Sequence, residues 1–189
     1  MEIETQYSFA IIGITMKLLG TVTEKDFGRT EQPEKRSTYR VRKAARAILV
    51  NVNNEIALMH VANHNYYKLP GGGVDDGEEI HDALLRELQE EVGASEFDVL
   101  CEIGEVDEYR DEWEVKAEHY GFVAKLTGPL HTPQRTQKEL DHGYTTVWAQ
   151  NIDDAIDLVE SGTPTEYGQG FERKRELIFL RQAKAAKLI

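Results

Sequence analysis

Apolar side chains recur along this chain with two periods, and the switches between them divide it into elements. Ala44 to Val52 (AARAILVNV) is a nearly continuous apolar run, which predicts a buried strand. Asn53-Asn54 supplies a turn that tolerates positive φ, and Glu55 to Val61 returns as a second strand. Tyr66 to Leu69 predicts a short third strand, ended by Pro70 and three glycines. Alternation over Phe97–Tyr109 and Glu114–Leu126 predicts two longer, curved, antiparallel strands, and Tyr144 to Ala149 a last one.

The helical period is clearest from Glu78 to Val92, where Ile80, Leu84, Leu88 and Val92 form one stripe. Asp76 with Glu79 predicts a capping box at its start, and Gly93 a stop at its end. Two more helices are expected, Asp153–Ser161 and roughly Phe171–Lys187. Thr127–Gly143 reads as a long loop with two prolines, a length at which loops are often functional. Near the amino terminus, Phe9–Ile12 and Met16–Val22 predict short strands. The polar, aperiodic stretch 28–38 (GRTEQPEKRST) then separates them from the rest. The chain therefore divides into an extension, 1–38, and a main domain, 39–189. The extension is expected to pack on that domain as an added ribbon, with contact in a homodimer as its alternative role.

Composition narrows the function. The chain has 189 residues, 34 acidic and 22 basic, for a formal net charge of −12. That argues against general nucleic-acid binding and against anionic membrane surfaces, which both need Lys and Arg. It also implies that phosphate chemistry here would need a metal. Cys101 is the only cysteine, so no intrachain disulfide and no Cys-based zinc site is expected. The acidic start, Met-Glu-Ile-Glu-Thr, lacks the positive region of a signal peptide, and a cytoplasmic location is the expectation.

The chemistry concentrates in Gly72 to Ala94, GGVDDGEEIHDALLRELQEEVGA. At about 100° per residue, Glu87, Glu90 and Glu91 share one arc of the helix. Glu91 also falls between Ile80 and Leu84, at the edge of the apolar stripe. Burying a carboxylate there without a partner is costly, and a hard divalent cation that takes several carboxylate oxygens is the economical compensation. The competing reading is a solvated acidic face.

This stretch resembles the Nudix box, G-x5-E-x7-R-E-U-x-E-E-x-G-U with U apolar. Gly72, Glu78, Arg86, Glu87, Glu90, Glu91 and Gly93 fill its fixed positions, Leu88 fills the first apolar slot, and Ala94 departs from the larger aliphatic usual at the second. Leu69-Pro70-Gly71-Gly72 is also the family's customary approach. The resemblance to the Nudix hydrolases, of the MutT type, implies an α/β/α sandwich with a mixed, curved sheet and the box as a loop–helix–loop beside it. It implies hydrolysis of a pyrophosphate bond in a nucleoside diphosphate linked to a group X, dependent on Mg²⁺ or Mn²⁺. By the same resemblance Glu87, Glu90, Glu91 and the carbonyl of Gly71 would hold metal. Arg86 would orient Glu87, while Gly72, Glu78 and Gly93 shape the box. The proton acceptor would be an acid inside the box or a later loop glutamate, for which Glu139 is the candidate and Glu118 the weaker one.

Substrate identity is thinly encoded. Nucleoside triphosphates are slightly preferred. ADP-ribose, a nucleotide sugar and a dinucleoside polyphosphate are the alternatives, and a non-catalytic nucleotide sensor is the rival from another class. Tyr109, near a spacing associated with dinucleoside polyphosphate hydrolysis, and Arg46 are the substrate-contact candidates. The last helix is locally basic through Arg173, Lys174, Arg175, Arg181, Lys184 and Lys187, read as a solvated face or as a phosphate-steering one.

Overall fold

The computed structural model describes residues 16–189. Within them, seven strands make one mixed, curved, unclosed sheet. These are β1 (Leu18–Val22), β2 (Arg40–Val50), β3 (Ile56–Val61), β4 (Tyr66–Lys68), β5 (Phe97–Arg110), β6 (Val115–Leu126) and β7 (Tyr144–Ala149). The order is β1-β5-β6-β2-β3-β4, with β7 also paired to β3. Helices α1 (Ile80–Val92), α2 (Gln137–Asp141), α3 (Ile152–Ser161) and α4 (Tyr167–Ala185) complete the chain.

Strand β2 explains why its sequence is apolar almost without interruption. Ala45, Ala47 and Leu49 pack with Ala83, Leu84, Leu88 and Val92 of α1 and with Tyr120 and Phe122 of β6. Ile48 and Val50 enter the other layer, with Val159 of α3 and Phe171, Phe179 and Leu180 of α4. Each large apolar side chain buried in this way contributes roughly 1.5–3 kcal/mol. On β6, a side chain at Gly121 would come within 2.5 Å of the Phe179 ring, so the bare backbone there lets α4 approach.

The hairpin expected of Ala44–Val52 and Glu55–Val61 is corrected in its extent. β2 meets β3 only at Val50–Ile56 and otherwise runs parallel to β6 along its whole length. The box loop takes the edge of β2 that a hairpin partner would have used: Ala45 N–H donates to Gly72 O and Ala47 N–H to Pro70 O, each at 3.0 Å. β3 pairs with β4 and β7 instead.

Helix α1 starts at Ile80 with Glu79 as its N-cap, which corrects the capping box expected from Asp76. Glu78 closes a turn onto the Asp75 carbonyl, and its carboxylate is drawn to Arg86, so that turn precedes the helix. The long loop contains the short α2, which no period of five residues could announce. α4 begins at Tyr167, ahead of the predicted start, because Gly168 and Gly170 interrupt the apolar stripe. In the extension, β1 pairs in parallel with β5 and buries Val22, so Met16–Val22 does contribute an edge strand. The Phe9–Ile12 run lies outside the described residues. No helix among the described residues is long and apolar enough to cross a membrane.

Candidate active site

The glycine turn and the first two turns of α1 build one compact electrostatic unit. Arg86 grips Glu78 in a bidentate pair, Nε to Oε1 and Nη2 to Oε2, both at 2.9 Å. The same guanidinium donates to Gly73 O at 2.8 Å and to Glu87 Oε1 at 2.7 Å. Glu78 also accepts from Asp75 N–H at 2.9 Å. A planar fork with five donors can serve two carboxylates and a carbonyl at once, which a lysine could not do. Loop and helix are thus locked through one side chain.

Glu87 lies flat against the loop. A methyl group at Gly72 would come within 2.2 Å of its carboxylate, so this glycine is a requirement of close approach. Burial pushes the Glu87 carboxyl above its ordinary value and Glu91 adds to that, while Arg86 and Arg46 oppose it. Glu90 is the most open of the three box acids, with 39% of its side chain accessible and Arg86 Nη1 at 3.6 Å.

Glu91 is buried, as its place on the stripe predicts, but the protein itself supplies a counter-charge. Lys68 Nζ donates to its Oε1 at 2.9 Å and Gly71 N–H to its Oε2 at 2.7 Å. Burial works to lower the Lys68 pKa, and Glu91, Tyr144 and Glu172 together outweigh it, so the ammonium is held above its ordinary range. The Tyr144 ring lies 4.9 Å from this ammonium. The expectation that a bound cation alone must compensate these glutamates is therefore corrected: Arg86 and Lys68 do part of it. Lys68 was legible only as a strand residue two places before Pro70.

The carboxy-terminal end of α1 is tied to the long loop. Gly93, at φ +82°, ends the helix, and a side chain there would strike the His131 carbonyl at 1.9 Å. His131 N–H donates to Gly93 O, Gln134 N–H to Glu90 O, and Arg135 Nη2 to Glu91 O, each at 2.8 Å. From this loop it is the Arg135 side chain that reaches the box helix. Glu139 closes the first turn of α2, accepting from Thr136 N–H at 2.7 Å and Thr136 Oγ1 at 2.9 Å.

Among the described residues, the remaining candidates form no hydrogen bond or ion pair with that unit. Tyr109 is half-buried under the Arg36 guanidinium, 4.6 Å from its ring. Glu118 accepts from Lys116 at 2.8 Å and from the Tyr120 hydroxyl at 3.1 Å. With Glu105 and Asp107 it forms the one group of acids among the described residues whose oxygens all fall within 4.8 Å, and Lys116 bridges two of them. Arg46 is buried, and its Nε and Nη1 have no hydrogen-bond partner. The basic residues of α4 are mostly engaged: Lys174 with Asp26, Arg181 with Glu160, Lys184 with Asp153, and Arg175 in the core. That favours the structural reading of the basic helix over phosphate steering.

The box residues offer a set of hard oxygen donors, the kind that Mg²⁺ prefers. Glu90 is open, and Glu87 is held against a bare backbone. Glu91 retains acceptor capacity, since a carboxylate has about four lone-pair sites and two are used. The site fits a divalent ion.

Comparison with known proteins agrees with this geometry. The family model described as NUDIX domain matches residues 40–153. Among curated proteins, the RNA pyrophosphohydrolase of Wolbachia pipientis subsp. Culex pipiens is 53% identical over 38 residues, 20% of this chain and 24% of that protein. That of Campylobacter jejuni (strain RM1221) is 44% identical over 41 residues, 22% of this chain and 26% of that protein. The chain thus spans about a quarter of the length of the curated relatives it matches. Among solved structures, a NUDIX hydrolase from Nitrosomonas europaea has a TM-score of 0.59 at 16% identity, covering 78% of this chain and 91% of that one. The NUDIX domain of Shewanella oneidensis NrtR, complexed with ADP ribose, has a TM-score of 0.52 at 18% identity, covering 87% and 99%. At these identities the structural likenesses establish the fold.

Proposed function

This chain belongs to the NUDIX family, and on that premise we propose that it hydrolyses a pyrophosphate bond in a nucleoside diphosphate linked to X. Nucleoside triphosphates are favoured as substrates, with release of a nucleoside monophosphate and pyrophosphate. The observation that carries this reading is the Glu78–Arg86–Glu87 chain, with Glu90 open beside it. Nudix hydrolases use divalent metals, and such an ion, when bound, neutralises phosphate charge and lowers the pKa of a water.

The residues divide the work. Glu87, Glu90 and Glu91, with the Gly71 carbonyl, hold the ion. Glu78 positions Arg86, and Arg86 fixes the rotamer of Glu87 through a charge-assisted hydrogen bond. Gly72 leaves room for that carboxylate, and Gly93 ends the helix where the loop can reach it. Lys68 and the Gly71 N–H aim Glu91. As proton acceptor we favour Glu87 over Glu139, because the Glu139 carboxylate is already engaged by Thr136. Phosphoryl chemistry of this kind rests mainly on positioning and electrostatic stabilisation.

A Mg²⁺-dependent phosphate-release screen over nucleoside triphosphates, ADP-ribose, nucleotide sugars and dinucleoside polyphosphates tests the proposal. Turnover of one class by the wild type and its loss in Glu90→Gln is the expected result. Inactivity across the panel, together with tight binding of one ligand, would instead identify a nucleotide sensor.

A further inference from the structure

Positions 40, 42, 44 and 46 of β2 point to one side of the strand, and three of them are arginine. Ala44, fully buried, leaves a gap in that row. Arg40 and Arg42, with Arg110, Trp113, Val115 and Ala117, line a half-open cavity of about 220 Å³. That is smaller than the roughly 300–1,000 Å³ of sites that hold a whole drug-sized ligand, and it suits a small anionic group.

The arginines differ in how far the protein satisfies them. Arg110 is paired with Glu108 at 2.6 Å and stacks on Trp113 at 5.2 Å. Among the described residues, Arg42 and Arg46 form no ion pair within 4 Å, and the buried Arg46 leaves Nε and Nη1 without a partner. A buried guanidinium lacking hydrogen bonds is costly, and here it occurs in a protein with a net charge of −12. Burial, followed by the neighbouring guanidiniums of Arg46, Arg110 and Arg175, pushes Arg42 down to about 10. The acids near these arginines are already engaged: Glu108 by Arg110 and Arg175, Glu176 by Arg175, and Glu172, 4.0 Å from Arg110, by the Tyr66 hydroxyl.

The row also adjoins the box. A side chain at Gly73 would lie 3.1 Å from Arg42 Nη2, and the loop Pro70–Val74 runs hydrogen-bonded along the same strand. Arg46 acts on Glu87 electrostatically. Phosphates extending from the box loop along this row would meet Arg42, beside Gly73, and Arg46 on the same side of the strand.

We propose that Arg42 and Arg46 bind the phosphate beyond the diphosphate held at the box, which makes the substrate a nucleoside polyphosphate with three or more phosphates. This rests on the hydrolase reading for its biological meaning, and its test does not need turnover. Calorimetric titration with inorganic tripolyphosphate, in EDTA and at fixed salt, reads binding by these arginines without metal. Arg46→Gln and Arg42→Gln are expected to weaken binding about tenfold each, the loss of one charge-assisted hydrogen bond. Glu90→Gln is expected to retain or gain affinity, and Arg181→Gln on the outer surface of α4 to leave it unchanged. Arg42 is half-buried, so its variant keeps the test decisive if Arg46→Gln fails to fold. Absence of wild-type binding, or wild-type affinity in Arg42→Gln, would overturn the proposal. Hydrolysis of ADP-ribose in preference to any triphosphate would overturn it while leaving the hydrolase reading intact.

Discussion

Two clusters of acids and bases lie in different layers of this molecule, built from the same groups but sealed to different degrees. Between the sheet and α4, Glu108, His119, Arg175 and Glu176 are all fully buried. Arg175 Nη1 donates to Glu108 at 2.8 Å, and Arg175 also pairs with Glu176. At the edge of α1, Glu78, Arg86, Glu87 and Glu90 form a similar chain that is partly open to solvent, from 13% of the Glu87 side chain to 39% of Glu90. The sealed cluster can only hold elements together, because no ligand reaches it. The open one keeps carboxylate oxygens available. Charge density alone does not mark a functional site; an exit for the charge does.

The largest expected effect is on the sealed side. Arg175→Ala leaves Glu108 and Glu176 uncompensated and should lower stability by about 3–5 kcal/mol, read as the midpoint of urea unfolding. An unchanged midpoint would mean that the cluster is not a structural pair. On the open side, Glu90→Gln should cost about a hundredfold or more in Mg²⁺-dependent kcat, about 2.7 kcal/mol, with an unchanged melting temperature. A parallel loss of stability would erase the contrast between the clusters.

Arg86→Lys comes next. A lysine cannot hold Glu78, Glu87 and the Gly73 carbonyl together, so activity should fall about 10–100-fold while the fold persists. Wild-type kinetics in that variant would remove Arg86 from the positioning chain.

The smallest effect is the pH dependence of the sealed side. Burial and Arg175 hold the His119 imidazole well below its ordinary value, with Glu108 opposing. Burial would raise the Glu108 carboxyl, but the permanently charged Arg175 and Arg110 hold it well below. For both groups the unfolded chain binds the proton more readily, so stability rises with pH. His119 lets stability fall as pH drops below about 6.5, and Glu108 as it drops below about 4.5. His119→Gln should flatten the loss between pH 7 and pH 5, about 1–2 kcal/mol in the wild type. An unaltered slope would place the titration elsewhere.

Much of this molecule could be read from its residues, for reasons that differ by region. The strands of the central sheet were legible because both faces are covered, which forces continuous apolar runs such as Ala44–Val50. The box helix was legible because Ile80, Leu84, Leu88 and Val92 keep strict period and Gly93 adopts the positive φ that ends it. Other features depended on partners distant in sequence. Lys68 meets Glu91 across 23 positions, and Arg135 meets it across 44. No local period encodes such pairs. The β2–β3 hairpin turns where expected but pairs only at its base, since a third segment, the box loop, takes the edge of β2.

The amino-acid order by itself determined the element types, the family and the spacing that puts Glu87, Glu90 and Glu91 on one helical arc, because these follow from backbone geometry within a few turns. Only the tertiary structure decided which charges find partners. Lys68 and Arg86 are consumed by box acids, Arg175 is sealed in the core, and among the described residues Arg42 and Arg46 are left beside the box loop without an ion pair. Electrostatic energy depends on distance and on access to water, and both are properties of the folded packing rather than of the chain.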